Sequence, residues 1–279
     1  MRLVLIVLMF LLGVSINASR AAENAALRLG IMPFNSTLAL FKTHQPLRLY
    51  LQNKLGRPVE MYTAPDYAGF LRDSQSGQFD LLITGPHFGV MALENGYQPL
   101  FHYKAVLQPV IVVKTDSVIK GINDLKGKRV GLSSKLSISS IGGIKWLQEH
   151  GLRVGREYLL VEQSTHGAAV AAVAVGTLDA ALTTHTPLKQ IPDDVRKKVR
   201  ILPTDIRTPH LMTLAHERLG TAEISRLKLL LIEFQQSPEG KAFFAETGYQ
   251  GYTPITSQDI KTMRPFIELT NKLLSVKNP

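Results

Sequence analysis

The chain has 279 residues, of which 45% are hydrophobic and 19% charged, a composition typical of a folded globular protein. It contains no cysteine, which excludes thiolate catalysis, thiolate metal sites and a fold held by disulfides. The net charge is +10, but the lysines and arginines are scattered, with one short run at residues 195–200, so we do not predict nucleic-acid binding.

The first residues have the pattern of a secretory signal peptide. After Arg2 the chain is apolar for about a dozen positions and then reaches the small-residue stretch NASRAA. The segment is short for a transmembrane span, and an uncleaved membrane anchor is the alternative. We predict a signal peptide at residues 1–21 with cleavage after Ala21, which leaves a periplasmic chain with a net charge of +8. The absence of cysteine excludes a lipoprotein anchor.

Strand and helix patterns alternate through the first half of the chain. Apolar strand patterns at residues 26–34, 58–64 and 79–85 are separated by helical patterns at 38–56 and 66–78. Proline at the first position predicts a further helix from Pro86, and residues 98–115 supply more strands.

The alternation continues to about residue 203 and then changes. Strand patterns at residues 129–132, 156–163, 177–184 and 200–206 are separated by helical patterns at 141–151 and 164–176. Helices at 222–237, 238–248 and 257–275 close the chain without a sheet of their own. This order predicts an α/β fold with two lobes, each a mostly parallel sheet flanked by helices. We expect residues 27–108 and 205–279 in lobe 1, residues 109–204 in lobe 2, and a ligand cleft between them.

Polar residues concentrate where the predicted strands end and helices begin. Ligands of open α/β sheets bind at this edge, and five junctions carry hydroxyl or imidazole groups, at residues 33–37, 84–88, 133–143, 164–167 and 183–187. Plain helix capping explains any one junction, whereas the five together suit an oxyanion held by hydroxyls and N–H groups. The candidates outside the serine-rich stretch at 133–143 are Ser36, Thr84, His87, Thr165, His166, Thr184 and His185.

Catalytic and metal functions have less support. The sequence has no G-x-S-x-G or H-E-x-x-H motif, and residues 121–128 miss the phosphate-loop spacing by one residue. We therefore predict no catalytic residues, no cofactor and no enzyme activity. Metal or metalloid binding through His87, His166 and His185 is an alternative. Such sites usually add carboxylates, and the only acid at a strand-to-helix junction is Asp66, before the helical pattern at 66–78.

From about residue 27 to 260 the chain resembles the periplasmic phosphate/phosphite/phosphonate-binding proteins of ABC transporters. The matching segments are LRLGIMPF, GQFDLLITGP, DLKGKRVGL, SPEGKAFFAETGYQGYTPIT and the most specific one, the run from His166 to Ala181. The resemblance implies a type II periplasmic binding protein fold. It also implies a hinged clamp that closes on a small anion and docks, as a monomer, on an ABC permease in the inner membrane.

The serine-rich stretch falls on the turn that holds the phosphonate or phosphate group in this family. Residues 137–140 occupy its Ser-Thr-Ser-Gly positions, so the resemblance makes Ser137 and Ser139 ligand hydroxyls, with Ser140 as a further candidate. Ile138 replaces the middle hydroxyl, and Ser-Lys replaces the preceding Asp-Pro. The stretch is therefore predicted to be a helix-opening cradle for a small oxyanion (phosphate, phosphite or phosphonate-like), and the departures at Ser134, Lys135 and Ile138 mean that the usual ligand does not follow from the turn alone.

At the family's other ligand-contacting positions this sequence keeps one residue and replaces the rest. His166 falls on the anion-contacting histidine, while Gly89 stands where a tyrosine is frequent and His87 is a nearby substitute. Thr184 and His185 replace the carboxylates that meet the amine of aminophosphonates, so we do not expect an amine-bearing ligand. These departures motivate an alternative function, a periplasmic sensory module that reports its ligand state to a membrane histidine kinase.

Overall fold

The computed structural model describes residues 25–275, so the predicted signal peptide lies outside the described residues. The strands are β1 (Leu27–Ile31), β2 (Val59–Tyr62), β3 (Leu81–Thr84), β4 (Tyr97–Tyr103), β5 (Pro109–Lys114), β6 (Arg129–Leu132), β7 (Leu159–Glu162), β8 (Ala180–Thr184), β9 (Val199–Pro203), β10 (Met212–His216) and β11 (Tyr252–Pro254). The helices are α1 (Thr37–Leu55), α2 (Tyr67–Gln75), α3 (Pro86–Ala92), α4 (Ile138–Glu149), α5 (His166–Ala174), α6 (His185–Lys189), α7 (Asp193–Arg196), α8 (Gly220–Gln236), α9 (Pro238–Thr247) and α10 (Ser257–Ser275). Short 3₁₀ turns lie at Leu93–Asn95, Ile122–Leu125 and Glu217–Leu219.

The strands form two sheets, which confirms the predicted two-lobed α/β class. The sheet of lobe 1 has the order β11-β4-β10-β3-β1-β2, and the sheet of lobe 2 has the order β7-β6-β8-β5-β9. The expectation of mostly parallel sheets is wrong: β1 pairs in parallel with β2 and β3, and β6 with β7 and β8, whereas β4, β5, β9, β10 and β11 pair antiparallel. The antiparallel strands β4, β5, β9 and β10 lie directly before or after the two segments where the chain crosses between the lobes. They do not form strand–helix–strand units with the strands they pair with, so nothing requires them to run parallel to these neighbours.

Two strands of the lobe 1 sheet were not predicted from the sequence. Residues 212–216 form β10 between β3 and β4, and residues 252–254 form β11 at the sheet edge. The closing segment therefore contributes to the sheet of lobe 1 as well as covering it with helices. The two crossing segments pair with each other, since Leu107 and Thr208 exchange backbone hydrogen bonds at 3.0 Å in both directions. This pairing makes a two-stranded connection between the lobes.

Each lobe has its own apolar core. In lobe 1 the central strands β1 and β3 are buried on both faces, with Leu29 and Ile83 fully inaccessible, because helices cover both sides of the sheet. In lobe 2 strand β5 buries Ile111 and Val113 against α4 and the segment around Leu125. A smaller cluster joins the lobes, where Met263 of α10 packs on Leu107 and Ile138.

Helices α1 and α2 begin directly after residues whose side chains cap them. The side chains of Ser36 and Asp66 accept hydrogen bonds from backbone N–H groups in the first turns of α1 and α2. Helix α4 begins three residues earlier than its apolar pattern indicated, at Ile138, with Ser137 as its N-cap. None of the helices among residues 25–275 combines the length and apolar character that a membrane crossing requires.

Candidate ligand-binding site

A cavity of about 40 Å³ lies between the two lobes, next to the crossing segments. Since one water needs about 10–15 Å³ by this measure, the cavity has room for roughly three water molecules. Its polar wall consists of Tyr67, His87, Ser137, His166, Thr184, Thr186, His210 and Tyr249. The rest of the wall is apolar and consists of Met32, Phe34, Gly85, Leu107, Ile138, Pro187 and Leu211. None of these described lining residues is a lysine, arginine, aspartate or glutamate, so neutral dipoles must hold any ligand.

Ser137 is the member of the serine-rich stretch that reaches the cavity. Its Oγ accepts a hydrogen bond from the Ser140 N–H at 3.2 Å and lies 2.7 Å from the Ser140 hydroxyl and 3.1 Å from the Ser139 hydroxyl. A hydroxyl has two acceptor sites and one donor. When Ser140 fills both acceptor sites through its N–H and O–H, the Ser137 proton is left to donate, to the Ser139 hydroxyl oxygen or to a ligand oxygen in the cavity.

His87 links the lobes from the first turn of α3. Its Nε2 lies 2.9 Å from the backbone carbonyl oxygen of Leu136 in lobe 2, and its Nδ1 is buried with no hydrogen-bond partner in the described chain. Burial lowers the pKa of His87 to about 4, against the opposing effect of the Leu136 carbonyl. The ring is therefore neutral near pH 7.

His166, the first residue of α5, makes a second contact between the lobes. Its Nε2 lies 3.4 Å from the Tyr67 hydroxyl of lobe 1 and 3.3 Å from the Ser133 hydroxyl. Burial lowers the pKa of His166 to about 4 and raises that of Tyr67 well above its usual value. Its Nδ1 is another buried atom for which residues 25–275 provide no partner.

Thr186 and His210 form a polar pair whose hydrogen positions follow from the backbone. The Leu211 N–H donates to Nδ1 of His210 at 2.8 Å, so the proton of this neutral ring must sit on Nε2. Nε2–H then donates to the Thr186 hydroxyl oxygen at 2.9 Å. Burial lowers the pKa of His210 to about 3, which keeps it neutral. The Thr186 hydroxyl proton is thus available to the cavity.

The structure brings four of the ten predicted residues to the cavity wall: Ser137, His166, His87 and Thr184. Ser139 and Ser140 lie behind Ser137, and Thr84 is fully buried beside Gly85 with its hydroxyl unpartnered among the described residues.

The remaining three predicted residues lie outside the lining. Ser36 is exposed and caps α1, Thr165 caps α5, and Nδ1 of His185 accepts a hydrogen bond from the Gln108 N–H. Their roles as ligand contacts remain predictions.

Sequence reasoning missed four polar residues of the wall, namely Tyr67, Thr186, His210 and Tyr249. Tyr67 directly follows Asp66, the N-cap of α2, and the only candidate ligand group that the sequence suggested at this junction was the Asp66 carboxylate. His210 and Tyr249 belong to the returning segment, where Tyr249 stacks on Tyr103 with ring centroids 4.1 Å apart. A local signal for His210 exists, a histidine directly before an apolar strand.

The histidines do not form a metal centre. Within residues 25–275 no three His, Asp or Glu side chains come together as a cation site would require. His87 and His166 share the cavity, but His185 does not line it.

Comparison with known proteins identifies the family. The profile described as "ABC transporter, phosphonate, periplasmic substrate-binding protein" matches residues 29–260. The chain belongs to this family. A curated relative, the phosphonates-binding periplasmic protein of Escherichia coli K12, is 28% identical over 132 residues, which is 45% of this chain and 39% of the relative. The alignment therefore spans less than half the length of that relative.

Solved structures share the fold of this family member. A binding protein component of an ABC phosphonate transporter from Pseudomonas aeruginosa has a TM-score of 0.80 at 15% identity, covering 91% of this chain and 89% of its own. PhnD1 from Prochlorococcus marinus, solved in complex with methylphosphonate, has a TM-score of 0.75 at 18% identity, covering 90% and 99%. At these identities the likeness establishes the fold, a type II periplasmic binding protein.

Proposed function

We propose that this phosphonate-family protein captures a small phosphorus oxyanion, such as methylphosphonate or phosphite, between its lobes and delivers it to an ABC permease. The observation that carries the proposal is the buried cavity at which the N-termini of α4 and α5 meet, through Ser137 and His166. The first N–H groups of a helix have no intrahelical partner and carry partial positive charge, which favours an anion. Family membership supports import over the sensory alternative.

The composition of the wall limits the ligand class. Hydroxyl protons of Ser137 and Thr186 suit oxygen acceptors, while Met32, Phe34 and Leu211 suit a small apolar substituent or a P–H group. The described lining has no carboxylate to pair with an amine, so an aminophosphonate is disfavoured. The small volume likewise favours a ligand of few non-hydrogen atoms. The co-crystallised methylphosphonate of the Prochlorococcus marinus relative is consistent with this class.

The proposed mechanism is a clamp that closes about the crossing segments. The proposal keeps the predicted division, with residues 27–108 and 205–279 assigned to one lobe and residues 109–204 to the other, so that a ligand in contact with both stabilises the closed arrangement. The closed form then docks on the permease as a monomer after export through the signal peptide. No step requires bond cleavage, and the proposed role is transport without catalysis.

The test is ligand binding by the chain without residues 1–21, freed of bound ligand by unfolding and refolding. Methylphosphonate and phosphite at about 100 times Kd should stabilise the protein by about 2.7 kcal/mol, a shift in Tm of about 5–10 °C. We expect 2-aminoethylphosphonate to produce a much smaller shift at the same concentration. If none of methylphosphonate, phosphite and phosphate raises Tm or gives a calorimetric signal, the proposed function is rejected.

A further inference from the structure

The unpartnered nitrogen of His87 is a hydrogen-bond acceptor, not a donor, and it lies beside Gly85 in the wall of the cavity. The carbonyl oxygen of Leu136 can only accept, and it lies 2.9 Å from Nε2, so Nε2 carries the ring proton. In a neutral imidazole the other nitrogen then has a lone pair, and this Nδ1 is the buried atom that lacks a partner within the described residues. The Cε1–Nδ1 edge faces the position where Gly85 has no Cβ, in the wall of the cavity.

The surroundings of His87 keep the ring neutral. The titratable groups that face it across the cavity are His166, His210, Tyr67 and Tyr249, and the described lining contains no carboxylate to stabilise an imidazolium. From the C-terminal helix, the side chains that join the cluster around α3 are the apolar Met263, Phe266 and Ile267. Burial favours the uncharged ring in such an environment, in agreement with its lowered pKa.

Closure of the lobes imposes this tautomer. His87 belongs to α3 of lobe 1, while Leu136 precedes α4 of lobe 2. The hydrogen bond between them exists only when the lobes are together. The ligand therefore meets an acceptor at Nδ1 in the closed form, whichever tautomer the open form prefers.

We propose that His87 Nδ1 shares a proton with one ligand oxygen, so that the closed protein selects oxyanions that carry an ionisable proton over fully ionised ones. The inference rests on the proposed function. A phosphonate or phosphite monoanion offers its P–OH to Nδ1 and binds without proton exchange. A phosphonate dianion binds with uptake of one proton from solvent, which lies between Nδ1 and the ligand oxygen. A sulfonate or sulfate has no such proton, and its oxygen lone pair faces that of Nδ1.

Methylphosphonate and methanesulfonate are the matched ligands for the test, since they share shape and differ by the P–OH proton. Near neutral pH we expect methanesulfonate to bind the wild-type protein roughly 10- to 100-fold more weakly, the effect of one unpaired buried acceptor. At a pH where free methylphosphonate is mainly the dianion, calorimetry in two buffers of different ionisation enthalpy should show uptake of about one proton per ligand.

His87→Gln keeps a side-chain N–H for the Leu136 carbonyl and lacks Nδ1. We expect this variant to bind the two ligands within a few-fold of each other and to take up almost no proton. His150→Gln, an exposed histidine at the far end of α4, is the control and should retain the wild-type selectivity.

The wild-type measurements can overturn the proposal even if the variant does not fold. Equal affinity for the two ligands, or binding of the methylphosphonate dianion without proton uptake, overturns the role of His87 and leaves the proposed function intact. Failure of methylphosphonate, phosphite and phosphate to bind overturns both.

Discussion

Ser137→Ala separates the two roles that the structure gives to this serine. The Ser137 hydroxyl caps α4 and also lines the cavity. Ser237 is a matched control, because its Oγ caps α9 by accepting the Gly240 N–H at 3.0 Å and it lies outside the cavity lining. Loss of either cap should cost about 1 kcal/mol of folding stability. Only Ser137→Ala should also lose a hydrogen bond to an anion, about 1.5–3 kcal/mol, or roughly 10- to 100-fold in Kd.

The assay is thermal unfolding without ligand, followed by titration calorimetry with methylphosphonate on both variants. Each cap loss should lower Tm by about 2–4 °C in a chain of this size. Ser237→Ala should then bind like the wild type, and Ser137→Ala should bind much more weakly. Equal affinities in the two variants would show that Ser137 is only a helix cap, and the assignment of the serine-rich stretch to the ligand would be wrong.

Three further outcomes follow from the contacts. His166→Ala should weaken methylphosphonate binding tenfold or more by calorimetry, whereas His150→Ala on the exposed surface should not. Asp80→Asn should cost about 3 kcal/mol in urea unfolding, since Asp80 is buried between two arginines, while exposed Asp116→Asn should cost under about 1 kcal/mol. Stability should be constant between about pH 6.5, the unfolded pKa of histidine, and about pH 9. It should fall in thermal melts from about pH 6.5 toward about pH 4, because burial lowers the folded pKa of four histidines that must charge on unfolding. They are His44, His87, His166 and His210.

Local signals in the sequence predicted the fold class and the junctions well, because both depend on short-range chemistry. Period and capping residues marked α1, α2 and α5. The segments at the ends of β3, β6 and β8 do meet at the cavity, where Gly85, Ser137 and Thr184 lie in the wall. The same signals could not distinguish the junctions that line the cavity from those that only cap a helix. Ser36 and Ser137 have the same N-cap chemistry, yet Ser36 faces solvent and Ser137 the cavity. The sequence next to a capping residue predicts that it caps a helix. Whether that residue also contacts a ligand depends on how the other lobe packs against it, which the local sequence does not contain.

The long-range part of the site could not be read from the sequence. His210 reaches the cavity because residues 204–211 cross back between the lobes beside Leu107, a pairing of segments that lie far apart along the chain. Tyr249 reaches it because Gly248 ends α9 in the left-handed conformation and turns the chain back toward Tyr103. Strand β10 is five residues long and is specified by its neighbours β3 and β4 more than by its own pattern.

The cavity wall and the contacts between the lobes are the same set of groups, which ties ligand binding to closure. Among the described residues four hydrogen bonds join the lobes at the cavity: His87 to Leu136, Tyr67 with His166, His210 to Thr186, and Gln190 to Tyr249. At about 0.5–1.5 kcal/mol each, they contribute roughly 2–6 kcal/mol to the closed form. Closure also buries Nδ1 of both histidines without a partner in the described chain, at a cost of about 1–3 kcal/mol each. The two effects are of similar size, so the lobes gain little by closing alone. A ligand that satisfies both nitrogens removes the opposing cost, and the equilibrium shifts toward the closed form for that ligand and not for one that leaves them unpaired.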